Sequence, residues 1–371
     1  MFEDVFPRND VEDGSIRRKH VSPFQPFDAA AVASEEREPE REAGGFWLKA
    51  PDVFDERTID FVWCKVWLPK GAHTDDPDHA GIKDSDNSPA TGAPPLRGGT
   101  VLCHGLGEYV DRYDRFAQYF ADTLQLYVFG FDQRGFGRTG LRHGKRRAGV
   151  TRMEWQMQDT DRAIQYVYQQ LTTTYHLDDP KIFLYGHSMG GLNALSYGIW
   201  GPAAISTGHR RPAFPIQLAA VIASAPPIRA SAPVPFYIKY SGLLAAKLFP
   251  NMLIDNQIDI NTVCRVQAVN DALKDDPLMV KGVALKMGEQ LLFAAPKLMH
   301  EASRWNPELP LMLLHGEGDL ITWYALCFLS FGVFIDHAWR RNLRKRDVLD
   351  TARKRPGRFM TQPRPVAKNT F

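Results

Sequence analysis

Long apolar runs are missing from this 371-residue chain. Nothing reaches the roughly 18 consecutive apolar residues of a membrane-spanning helix, and the closest run, Trp323–Ile335, is too short. The first ten residues, Met1 to Asp10, are acidic and lack an apolar core, so they do not read as a secretory leader. Cysteine is scarce as well. Cys64, Cys103, Cys264 and Cys327 are scattered with no Cys-x-x-Cys spacing, which argues against a zinc site or a disulfide framework and fits a reducing compartment. No Gly-x-Gly-x-x-Gly opens a helix after the first strand, no Gly-Lys-Ser/Thr completes a phosphate loop, and no metal-ligand cluster exists. The expectation is chemistry without cofactor or metal, in the cytoplasm, with any membrane association made through the surface.

Charge is nearly balanced at +2 but unevenly placed. From Arg340 to Phe371 eleven Lys/Arg face only Asp347 and Asp350. Such a basic tail reads first as a solvated segment and second as an anionic-membrane or nucleic-acid contact. It lacks interleaved aromatics for base stacking, so no nucleic-acid partner is expected.

Residues 1–45 are charged and poor in aliphatics, the composition of a disordered or loosely docked arm. From Phe46 to about Ala225 strand-like and helix-like runs alternate, broken by a Gly/Pro/Asp/Ser-rich loop over 70–99. That alternation predicts a mostly parallel sheet with helices on both faces. After Ala225-Pro226-Pro227 the strand pattern stops, and residues 226–303 read as a helical cap inserted before a late strand at Leu309–His315. Residues 304–322 return to the core pattern, and 323–371 hold an apolar run and then the basic tail. Within the cap, Pro235–Pro250 is apolar nearly all round, with Lys239 and Lys247 its only charges. Two readings stay open for it, a buried core helix or a lid lip that touches an acyl chain or a bilayer.

The most telling stretch is Ile182 to Tyr197. A β-prone run leads into Gly186-His187-Ser188-Met189-Gly190, and a small-residue helical pattern follows. This is the strand–turn–helix setting of a Gly-x-Ser-x-Gly nucleophile elbow, where glycines let strand and helix approach. Ser188 is the candidate nucleophile. His104-Gly105-Leu106-Gly107-Glu108 follows the strand Val101–Cys103, where the loop supplies one backbone donor to an oxyanion hole. The amides of Leu106 and Met189 are the candidates. In Phe131-Asp132-Gln133-Arg134-Gly135-Phe136-Gly137, Asp132 and Arg134 read as scaffolding for the loops around the elbow. His315-Gly316-Glu317-Gly318-Asp319 places an acid in a glycine-rich loop after a late strand. Asp319 is the candidate triad acid and Glu317 its neighbouring competitor.

With Asp276-Pro277-Leu278, these motifs resemble, in order, the monoacylglycerol lipase-like α/β-hydrolases, also described as lysophospholipase-like or S33-type serine hydrolases. The resemblance runs from about Phe46 to Thr322. It implies an α/β-hydrolase fold and a cofactor-free serine hydrolase acting on monoacylglycerols or similar lipid esters. It also implies a cap that meets membranes to collect substrate. Tyr109 and Phe136 stand where that family usually has histidine.

A serine triad also needs a base beyond the acid. His337 is the only histidine after Asp319, and the seventeen residues between them are few for the helix, strand and loops that normally intervene. Two functions from different classes therefore stand. One is a serine ester hydrolase with Ser188, Asp319 and His337; the other is a lipid-binding or interaction protein on a hydrolase scaffold, without a working triad. The abrupt loss of pattern at Trp323 also reads as translated intron or a shifted frame.

Overall fold

The computed structural model describes residues 44–52, 59–72, 95–144, 146–201, 216–228, 235–256, 258–316, 319 and 321. The predicted N-terminal arm, most of the 70–99 loop, and the residues from Thr322 onward, His337 among them, lie outside these.

Strands β1 (Phe46–Pro51), β2 (Ile59–Trp67), β3 (Gly98–Cys103), β4 (Leu126–Phe131), β5 (Lys181–His187) and β6 (Leu218–Ser224) join a later strand, β9 (Leu311–Leu314), in one seven-stranded sheet. Its order is β1-β2-β4-β3-β5-β6-β9, antiparallel at the β1–β2 and β2–β4 pairs and parallel from there on. Every residue of β3 and β4 is buried, as central parallel strands covered on both faces must be. Helices α1 (Asp114–Leu124), α2 (Gly137–Leu141), α3 (Met153–Gln169) and α4 (Met189–Trp200) lie in the crossovers. α1 buries Ala117 and Ala121, four apart on one face. α3 comes so near β3 that a Cβ on Gly99 would stand 2.5 Å from the Val167 side chain.

Between β6 and β9 the chain leaves the sheet and forms α5 (Phe236–Leu248), β7 (Leu253–Asp255), α6 (Ile260–Val263), α7 (Gln267–Lys274), β8 (Gly282–Ala284) and α8 (Leu285–His300). β7 and β8 make a separate antiparallel ribbon. Three residues a side is too short to leave a readable alternation, so the sequence predicted only helix here. The ribbon is anchored by the Ala284 amide, which donates to the Gly149 carbonyl at 2.9 Å. α5 buries only Ala246. Its Phe236, Tyr240, Leu244 and Leu248 are all more than half exposed, so of the two sequence readings the core helix is the one that fails.

Below the sheet's functional edge, a buried ion group ties three elements together. The Arg134 guanidinium, 4% exposed, donates to both Asp159 oxygens on α3 at 2.5 and 3.0 Å and to the Pro51 carbonyl at 2.7 Å. Removing one member of such a pair leaves a buried charge undercompensated. Arg134→Met is expected to cost about 3–5 kcal/mol in urea unfolding. The double variant Arg134→Met/Asp159→Leu should recover part of that loss, whereas equal instability of the two would contradict the assignment.

Candidate active site

The β5-to-α4 turn has the shape its glycines permit. Ser188 holds φ +52° and ψ −120°, a backbone state that costs a non-glycine residue about 1–3 kcal/mol. A Cβ on Gly186 would collide with the Gly190 carbonyl, and one on Gly190 with the Cys103 carbonyl. The turn is pinned by the Ser188 amide donating to the Ser224 carbonyl at 2.8 Å, and by its own carbonyl accepting from Leu192 at 3.0 Å. Met189 opens α4, where first-turn amides have no intrahelical acceptor and the helix dipole favours negative charge. Its side chain is turned into the core, within 3.6 Å of Gln156 Nε2.

The loop after β3 lies against this turn, since a Cβ on Gly105 would stand 3.3 Å from Ser188 Cβ. Three core contacts shape it. His104 donates from Nδ1 to the Gly105 carbonyl at 2.8 Å, while its Nε2 accepts the Gln133 amide at 2.9 Å. Burial lowers this imidazole to a pKa of about 4, so it is neutral at pH 7 and serves as a strut. Phe136 stands edge-on to it at 6.1 Å. Glu108 Oε2 accepts the Gly105 amide at 2.9 Å and the Tyr113 hydroxyl at 2.7 Å. Burial pushes the Glu108 carboxyl up, but His187, the Tyr113 hydroxyl and Arg112 outweigh it and hold it below its ordinary value. Asp132 accepts the Val110 and Arg138 amides, each at 2.7 Å. Burial nonetheless raises it to about 7. Asp132 thus braces the loop beside the elbow, while Arg134 braces α3 and β1 instead.

Asp319 follows β9 as the sequence placed it. Its Oδ1 accepts the Ile321 amide at 2.8 Å, and its Oδ2 lies 3.0 Å from Nε2 of His315, whose side chain is fully buried. Nothing in the sequence pattern assigned His315 a partner, and this contact was missed. The signal available was the motif itself, a glycine loop short enough to fold the acid back onto the strand end. Strand register sets Ser188 and the acid loop on the same edge of the sheet, because His187 pairs with Ser224 and Ser224 with Leu314. Beside His187 opens a cleft of about 310 Å³ lined by Glu108, Arg112, Tyr113, Phe116 and Tyr185. Among the described residues no group of His, Cys, Asp and Glu could hold a metal ion.

Residues 94–327 match the family model of the serine aminopeptidases, S33. The chain belongs to that family. A putative monoglyceride lipase of Schizosaccharomyces pombe is 33% identical over 224 residues, covering 60% of this chain and 53% of that protein. The monoglyceride lipase of Mus musculus is 30% identical over 224 residues, 59% of this chain and 64% of the mouse protein. The match thus spans between half and two thirds of these relatives. Among solved structures, a soluble variant of the Saccharomyces cerevisiae monoglyceride lipase, in complex with a substrate analog, superposes with TM-score 0.57 at 20% identity, over 85% of this chain and 87% of that one. The Paleococcus ferrophilus monoacylglycerol lipase gives 0.54 at 22% identity, over 78% and 97%. These likenesses establish the α/β-hydrolase fold. The matched span stops short of His337.

Two buried groups beside the loop after β3 oppose each other in pH. Folded His104 prefers to be neutral, so its contribution to stability is present above pH 6.5 and lost as pH falls toward 4. Folded Asp132 prefers its proton, so its contribution is present below pH 3.8 and lost as pH rises toward 7. Chemical unfolding of His104→Gln is therefore expected to show a destabilisation that shrinks between pH 6.5 and 4. For Asp132→Asn the cost should shrink between pH 4 and 7. Flat differences across those windows would contradict the assignment.

Proposed function

We propose that this S33-family chain hydrolyses carboxylic esters of lipids, monoacylglycerols or lysophospholipids, through an acyl-serine at Ser188. The observation that carries the reading is Ser188 at φ +52° on the strand-to-helix turn, with the Gly105 backbone against its Cβ. The strained turn presents the hydroxyl above the sheet edge. In the proposed reaction Ser188 Oγ attacks the ester carbonyl carbon while an imidazole takes its proton. The oxyanion accepts hydrogen bonds from the Leu106 and Met189 amides, donors whose loss typically costs about 100–1,000-fold in rate. Collapse expels the glycerol-type alcohol, which receives the proton back from the imidazole. Water then repeats the cycle on the acyl-serine and releases the fatty acid. Asp319 orients the imidazole and stabilises its cation. His337 is the base assigned by sequence order.

Lipid esters are favoured over peptides by the names of the relatives, monoglyceride lipases in fission yeast and mouse, and by the insertion. Phe236, Tyr237, Tyr240, Leu244 and Leu248 form an exposed apolar face on α5, with Lys239 and Lys247 on the same helix. That combination suits a peripheral cap on a lipid surface. Among the described residues no helix is long and apolar enough to cross a membrane.

One observation favours the second reading, a lipid-binding protein without turnover. An imidazole that Asp319 contacts is that of His315, sealed from solvent. Turnover separates the two. The unmodified chain is expected to release fatty acid from an emulsified monoacylglycerol, Ser188→Ala to abolish this, and His337→Ala to reduce it by several orders of magnitude. Unchanged hydrolysis in His337→Ala removes that residue from the account. For the cap, Leu244→Glu/Leu248→Glu should weaken sedimentation with phosphatidylcholine/phosphatidylserine vesicles while leaving the unfolding midpoint in place. Equal sedimentation of variant and unmodified chain would contradict a membrane contact through α5.

A further inference from the structure

Among the described residues, hydrogen bonds from the core hold the loop that carries Leu106 near its two ends, and the Leu106 side chain packs on the main core. At the first end, His104 is held by Gln133 and the Gly105 amide by Glu108; at the other, Asp132 holds the Val110 amide. Between them the anchors come from the insertion. The Gly107 carbonyl accepts the Val280 amide at 3.0 Å, and the Tyr109 hydroxyl donates to Asp276 Oδ2 at 2.6 Å. The fit is close. Gly107 has φ +75°, and a Cβ there would stand 2.6 Å from the Val280 carbonyl oxygen. On the insertion side Asp276 is itself held in a tight turn, with Oδ1 accepting the Leu278 amide at 2.9 Å and its carbonyl accepting Met279 at 3.2 Å.

We infer that Tyr109 and Asp276 are positioning residues that couple the insertion to the Leu106–Gly107 tip, so that docking of the 276–280 turn steadies a Leu106 amide that the His104 strut holds from the core side. The inference rests on the reading of Leu106 as an oxyanion donor. Its physical content is a shared element. Leu106–Gly107 is a two-residue tip whose following peptide is bonded to the insertion, while the preceding peptide, which carries the Leu106 N–H, is held at the Gly105 carbonyl by the His104 ring and the Glu108 amide. A contact that lifts the insertion, such as α5 entering a lipid surface, releases the Gly107 carbonyl and leaves the tip held from the His104 and Glu108 side alone. Coupling of this kind is reciprocal, so an oxyanion bound at Leu106 in turn holds the insertion down. A displacement of about 1 Å in such a donor is enough to cost on the order of 100-fold in rate.

Hydrogen exchange on the full chain tests this without relying on turnover. Tyr109→Phe removes one hydroxyl, and Asp276→Ala removes its acceptor. Each is expected to speed exchange roughly tenfold, as for loss of one hydrogen bond to a charged group, in both the 104–110 and the 276–281 peptides. Tyr109→His, whose ring N–H can donate to the same carboxylate, is expected to restore protection in both. The double variant should add little to either single one. If 276–281 loosens while 104–110 keeps its exchange rate, or neither segment changes, the coupling is overturned. In monoacylglycerol turnover Tyr109→Phe should lower kcat with KM nearly unchanged, and Tyr109→His should recover it. If the unmodified chain gives no turnover, the hydrolase reading fails, and the exchange result still decides the coupling.

Discussion

The left-handed turn at Ser188 constrains everything around it. A serine at φ +52° is held only if strand β5 and helix α4 meet at backbone contact, which requires Gly186 and Gly190 to lack Cβ atoms. The strand end must also be fixed from the side, and the Ser188 amide on the Ser224 carbonyl does this. The same parallel register then carries across β6 to β9, where the Ala225 amide reaches the Leu314 carbonyl at 2.7 Å. The Ser188 turn, the Leu106 loop and the Asp319 loop thus share the carboxyl edge of the strands, where open α/β sheets gather their sites.

Around that edge the protein uses buried polar groups as struts. His104, Gln133 and Glu108 satisfy backbone amides or carbonyls of the loop after β3 and the turn after β4, and Asp132 satisfies amides in the first turns of the helical segments that follow them. Buried loop backbone without such partners would be costly. The opposing shifts of His104 and Asp132 follow from the same burial acting on a base and an acid. Their slopes largely offset each other between pH 4 and 6.5.

Much of this is legible in the sequence because it rests on local chemistry. Gly186 to Gly190 dictate a tight strand-to-helix turn by themselves, and the buried runs Val101–Cys103 and Leu126–Phe131 announce central strands. The order of the motifs carried the family resemblance, which the match over residues 94–327 establishes. What was not legible depends on partners far apart in the chain. Tyr109 and Asp276 are 167 residues apart, and neither carries a local sign of the other. The β7–β8 ribbon is too short to show a period. For α5, composition gave two readings, since an apolar helix looks the same in a core or on a surface; only the packing around it decides. Asp132 and Arg134 illustrate the boundary. Their type marked them as scaffold, but which loops they brace is a property of the fold.

The central claim is that Ser188 is a chemically activated nucleophile. The measurement that bears on it most directly is exposure of the full chain to a fluorophosphonate, followed by mass spectrometry of the intact protein and its peptides. The account predicts a single adduct, mapped to the peptide containing Ser188 and absent in Ser188→Ala. A folded chain that acquires no adduct, or acquires it elsewhere, would contradict it.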